Sequence, residues 1–232
     1  FNLPAAEEVT LRLPFVPQLK AAKLRSLHLA YDSREVADLS ETVQFPALTS
    51  LTVTSGHGLG RFELDEQHLG ASICAGTCLQ LLQALEIEAL LSPSLLRSFA
   101  HLPALTKLSA VCTPLPPADL LAALQSMSAL RSVSLALLDE QKQARDFELK
   151  ASGDETVEAL GDKPVEMPAL ETLVLALSAE QDTTELARAF ALIRTPKLRL
   201  ITTDCCGLFL SSFLQANPNV EHLRFHGTVI GA

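Results

Sequence analysis

Three residues in the first third of the chain have types and spacing that could hold a metal: His68, Cys74 and Cys78. The two cysteines are four apart, one helical turn, so on a helix they and His68 could share one side, as Zn²⁺ ligands do. Tetrahedral zinc needs a fourth ligand, and the sequence places none nearby. Two buried small side chains are the better expectation, because free Cys packs as a small hydrophobe. Cys205-Cys206 could form a redox pair, but adjacent cysteines directly after a strand read better as a packing residue beside a free thiol. Gly56-His57-Gly58-Leu59-Gly60 has Arg61 where a dinucleotide fingerprint requires its third glycine, so a turn is expected there. Neither a G-x-S-x-G elbow nor an H-E-x-x-H helix occurs, and no short stretch proposes a nucleophile with its base. The expectation is a chain without catalytic residues, cofactor or metal.

Polar residues at a spacing of two offer a different chemistry, that of recognition. His222, Arg224 and His226 alternate with Leu223 and Phe225, and Glu86 and Glu88 flank Ile87. Two is the strand period, so such residues face one side while the apolar residues between them face the other. By the same alternation His28, Thr52, Lys107, Ser134, Thr202 and Asp204 point outward from their own strands. The eleven candidates for binding are thus His28, Thr52, Glu86, Glu88, Lys107, Ser134, Thr202, Asp204, His222, Arg224 and His226. An acidic step at Glu86 and Glu88 contrasts with a basic one at His222, Arg224 and His226, and between them the outward positions are mostly Ser, Thr and Ala.

The elements that must carry these residues are visible as a recurring phrase, L-x-x-L-x-L. It reads Leu24 to Leu29, Leu48 to Val53, Leu82 to Ile87, Leu105 to Ala110, Leu130 to Leu135, Leu170 to Leu175, Leu198 to Thr203 and Val220 to Phe225. A degenerate copy, Val9 to Leu13, lies close before the first and is expected to cap the series. The middle apolar residue falls at 27, 51, 85, 108, 133, 173, 201 and 223, and most intervals lie in the range of about 20–29 residues of a leucine-rich repeat. Helical spacing marks Ser92 to His101, Ala118 to Met127, Thr184 to Arg194 and Leu208 to Ala216 between phrases. Pro46, Pro103, Pro168, Pro196 and Pro218 stand just ahead of strands, where proline ends the preceding segment. These features predict an α/β fold: a leucine-rich-repeat solenoid with parallel strands on the concave face and helical or irregular segments on the convex face. It would span 1–232 as a single domain of about eight to nine irregular repeats. Two stretches break the period, 56–81 and 139–166, and the charged second one is expected to be an inserted loop.

Composition bounds the function classes. Hydrophobic residues make up 48% of the 232, enough for a continuous core, and with no Trp and 5% aromatics that core must be aliphatic. A net charge of −9 leaves no general basic surface for phosphates, which argues against nucleic acid as partner. The most apolar long stretch, Leu120 to Leu138, is interrupted by Gln125, Ser126 and Arg131, so no membrane span is expected. Five unpatterned cysteines and the lack of an Asn-x-Ser/Thr sequon predict an intracellular location, in cytoplasm or nucleus.

The phrases Ser211 to Phe225 and Met167 to Leu175 resemble the irregular leucine-rich repeats of fungal F-box proteins, and the resemblance runs along nearly the whole chain. In that family the repeats receive the substrate, and a preceding F-box docks the Skp-type adaptor of a cullin ubiquitin ligase. The resemblance therefore implies a protein-binding substrate receptor. It carries over no individual binding residue, since the matching positions are core leucines and turn prolines. A second expectation, of a different class, is a carbohydrate or small-ligand binder of the lectin or defence type using the hydroxyl-lined face. The outward strand positions offer it no aromatic platform for sugar stacking.

Overall fold

The computed structural model describes residues 5–13, 22–31, 45–55, 66–75, 79–112, 117–137, 164–177, 192–203 and 208–225. The chain divides into two compact units, Phe1–Val111 and Cys112–Ala232. The first holds strands β1 (Glu8–Leu13), β2 (Ser26–Tyr31), β3 (Ser50–Ser55), β4 (Ala84–Leu91) and β5 (Lys107–Cys112), side by side in chain order. Helix α1 (Glu66–Cys74) precedes β4, and α2 (Pro93–Ser98) with a 3-10 turn at Phe99–His101 precedes β5. The second unit holds α3 (Pro117–Ser126), β6 (Ser132–Leu137), β8 (Thr172–Leu177), β10 (Leu200–Thr203), α4 (Leu208–Ala216) and β11 (His222–Phe225), with the strands adjacent in that order. A separate pair, β7 (Val165–Glu166) and β9 (Ile193–Arg194), also runs parallel. No described helix is long and apolar enough to cross a membrane.

The apolar phrase dictates both direction and register. Val9, Leu27, Leu51 and Leu85 stand in one row across the first unit, and Val133, Leu173, Ile201 and Leu223 in one row across the second. Sliding any strand by one residue would turn its whole buried set outward, so burial of one face locks the register. A second row joins Leu29 to Val53 and Ile87, and the leading leucines Leu24, Leu48, Leu82, Leu105, Leu130, Leu170 and Leu198 are buried as well. Each buried aliphatic side chain contributes about 1.5–3 kcal/mol before entropy is subtracted.

Two hydrogen-bond devices recur with the phrase. Ahead of β3, β5, β6, β8 and β10 lies a four-residue turn, in which the leading leucine's N–H donates to the carbonyl three residues back: Leu48 to Phe45, Leu105 to Leu102, Leu130 to Met127, Leu170 to Met167 and Leu198 to Thr195, all at 3.1–3.3 Å. Proline occupies the second turn position in most, where its fixed φ suits the bend. The turn that opens at Leu79 has no proline, and Leu79 takes a left-handed φ of 57° that a bulky residue rarely adopts. At the strand entry, one carbonyl then receives two consecutive N–H groups from the next phrase. Arg25 O accepts from Thr49 and Ser50 at 2.8 and 2.9 Å, and Arg199 O accepts from Glu221 and His222 at 3.0 and 2.8 Å. The same double acceptance is made by Glu7, Thr49, Gln83, Arg131 and Glu171.

Departures from the sequence expectation are local. Within the expected helical stretch Ser92 to His101, Pro93–Ser98 is α-helix and Phe99–His101 a 3-10 turn, and Ser92 caps α2 by accepting the Leu95 N–H at 3.3 Å. Ile193–Arg194, expected at the end of a helix, is strand, and 184–191 lie outside the described residues. Of the expected loop 139–166, residues 139–163 also lie outside them, while Val165–Glu166 is β7, with Val165 buried. Helix α1 falls inside the stretch 56–81, read only as an interruption, and buries Leu69 and Ile73.

Candidate functional site

The strand positions that alternate with the buried rows build an outward face in each unit. In the first, Thr10, His28, Thr52 and Glu86 form one row, and Ser26, Ser50 and Ala84 form the row before it. The imidazole Nε2 of His28 lies 3.1 Å from the Thr54 hydroxyl on the neighbouring strand. Gln83 O accepts from Thr106 and Lys107, which sets Lys107 beside Ala84, one step before the Glu86 row. Glu88 and Lys107 are exposed. His28, Thr52 and Glu86 are therefore brought together, and Glu88 and Lys107 flank them.

A histidine touching a hydroxyl is also how a nucleophile meets its base. Such a pair needs a third group to orient the ring, and the carboxylate in this row, Glu86, lies two strands from His28, roughly 10 Å at the usual ladder spacing. The row thus presents side chains that can donate and accept hydrogen bonds on one outward face.

In the second unit Ser134, Val174, Thr202 and Arg224 form one row, and Ser132, Thr172, Leu200 and His222 the next. His222 and Arg224 are exposed as expected. Thr202 is not: it is 5% exposed, so it is a packing residue more than a contact. Leu223, expected in the core, is 37% exposed, because β11 has a described neighbour on one side only. Asp204 and His226 lie outside the described residues.

Sequence reasoning missed a groove of about 770 Å³ beside this face, along the turns that lead into β10 and β11. Pro196 and Pro218 are part of its lining, and Glu171, Lys197, Arg199 and Glu221 bring charge to it. Glu171 is engaged by Arg131 at 3.8 Å across the strand entry. Glu171, Arg199 and Glu221 fill the first variable position of L-x-x-L and Lys197 stands just before its leading leucine, places that a search for strand alternation passes over.

The residues that open these two turns, Thr195 and Asn217, are polar. Asn217 is buried with its amide fully used: Oδ1 accepts from the Thr195 N–H at 2.7 Å and the Thr195 hydroxyl at 2.6 Å, and Nδ2 donates to Ile193 O and Phe213 O at 3.0 Å each. Cys74, expected to be buried, is a free and exposed thiol at the end of α1, and Cys78 lies outside the described residues. Among the described residues no three potential metal ligands converge. No protein-family model matches the chain, and neither a curated protein nor a solved structure gives a significant match.

Proposed function

We propose that the chain is a leucine-rich-repeat solenoid serving as a non-catalytic protein interaction module, with the outward strand face as its contact surface. The observation that carries this reading is the register: successive phrases place the same positions in straight rows, so small side chains, such as Ser26 and Ser50 in the first unit and Ser132 and Thr172 in the second, line the outward face of each unit. A face of that kind accepts the surface of another folded protein more readily than it encloses a small ligand, which favours a concave pocket. Following the resemblance to fungal F-box repeats, the partner is the substrate of a ubiquitin ligase for which this chain is the receptor.

The test is partner capture by the full-length protein carrying Thr52→Arg or Ser134→Arg, one bulky charge in the middle of each face, against Gln125→Arg at an exposed position of α3. Capture is expected to fall at least tenfold for the face variants and to stay unchanged for Gln125→Arg, with thermal melts confirming that all three fold. Equal capture by the face variants and the parent would overturn the reading. Co-purification of a Skp-type adaptor with the full-length protein tests the ligase assignment separately.

A further inference from the structure

We propose that Lys197, Arg199 and Arg224, with His222 beside them, form an acceptor surface for an acidic, carboxylate-bearing segment of a partner protein. This deepens, and rests on, the reading of the chain as an interaction module.

The chain carries a net charge of −9, yet the strand entries and outward positions of its last two phrases collect three cationic side chains and an imidazole, all exposed. The neighbouring carboxylates, Glu171 and Glu221 at the strand entries on either side of Arg199, offset them only in part. Glu171 is held by Arg131 at 3.8 Å, and Glu166 stands opposite Arg194 in the β7–β9 pair. Glu221 is the remaining carboxylate on the groove. The surface thus keeps an excess of positive charge on an otherwise acidic molecule, which draws an acidic partner to this end and raises its rate of encounter.

Geometry sets the class of ligand. Arg199 O bonds the N–H groups of Glu221 and His222, so the entry to β10 lies directly beside that to β11. Arg224 is three residues beyond Glu221. At about 3.3 Å per residue along the strand and about 4.8 Å between strands, the backbones at Arg199 and Arg224 are roughly 11 Å apart. An extended peptide covers that distance with carboxylates three or four residues apart, and each guanidinium offers the planar fork that matches a carboxylate. Lys197 and Arg199 line the groove of about 770 Å³ together with Pro196 and Pro218, which gives the segment a place to lie. Glu221 within the same groove, and the acidity of the whole chain, disfavour a continuous polyanion such as nucleic acid.

The probe is a fluorescently labelled peptide with glutamates three and four residues apart, titrated with the full chain at low salt. Binding is expected to weaken at least tenfold in Arg199→Gln/Arg224→Gln, to tighten two- to threefold in Glu221→Gln, and to be unchanged in Lys23→Gln, an exposed cation of the first unit. Unaltered peptide binding in the double variant, with an unchanged melting curve, overturns the proposal. So does tighter binding of a length-matched oligonucleotide or phosphopeptide than of the glutamate peptide. Because the probe is synthetic, failure here is separable from failure of the interaction reading, in which the Thr52→Arg and Ser134→Arg variants would still capture the natural partner as well as the parent does.

Discussion

Phe45 and Asn217 open turns of the same kind, one before β3 and the other before β11, and they hold that place by opposite means. Both are buried. Phe45, like Leu79, Leu102, Met127 and Met167, fills the space beneath its turn with apolar volume. Asn217 instead satisfies four backbone and side-chain groups around it, including two from Thr195, which opens the preceding turn. Burial of an amide costs free energy unless every donor and acceptor is met, and here each is. The comparison shows that the repeat asks for a filled, satisfied position, not for a particular residue type.

The comparison breaks most visibly from the apolar side. Phe45→Ala removes a side chain that nothing else can replace and is expected to cost about 3–5 kcal/mol, read as a lower denaturation midpoint of the first unit. A cost under about 1 kcal/mol would mean that the site collapses freely and that filling is not what the turn requires. Asn217→Leu keeps volume but strands the Thr195 N–H and takes one donor from each of the carbonyls of Ile193 and Phe213, for an expected loss of about 1–3 kcal/mol. If leucine proved neutral there, the last two turns would be ordinary members of the series and the polar solution incidental. Thr195→Val is the finer probe: it deletes one donor to Asn217 Oδ1 and leaves the backbone N–H in place, so the loss should be about 1 kcal/mol.

What could be read from sequence follows the same division between local pattern and spatial neighbours. The strands were legible because a period of two in Leu, Val and Ile has one meaning when a single face is buried, and even the degenerate Val9 to Leu13 pairs in register with β2. The two-residue strands β7 and β9 were not, since two residues carry no period, and Ile193 fitted a helical spacing equally well. In the candidate site, alternation found the rows of His28, Thr52 and Glu86 and of Ser134 and Arg224. It could not find that Thr202 is covered, that Leu223 and Cys74 are open, or that Lys197 and Arg199 edge a groove. Those facts depend on what lies beside each residue in space.

The smallest expected effect comes from a charge contact that recurs at the strand entries. The residues whose carbonyls or N–H groups make the entry bonds are, in the second unit, Arg131, Glu171, Arg199 and Glu221, alternating in sign from one strand to the next. Opposite charges on adjacent strands attract, and like charges there would repel, so the alternation favours the observed neighbours. All four are exposed, however, and water screens them. Arg131 and Glu171 approach to only 3.8 Å with side chains 66% and 49% exposed. Exposed pairs contribute about 0.2–1 kcal/mol at most, so Arg131→Gln should shift stability by a few tenths, and added salt should erase the difference. The reversal Glu171→Arg places a cation between Arg131 and Arg199, so that three entries in succession carry positive charge. Its cost should therefore exceed that of Arg131→Gln and shrink as salt rises. Identical midpoints for the reversal and the parent at low salt would show that the backbone double bonds alone order the entries and that the alternating charges serve the surface, not the fold.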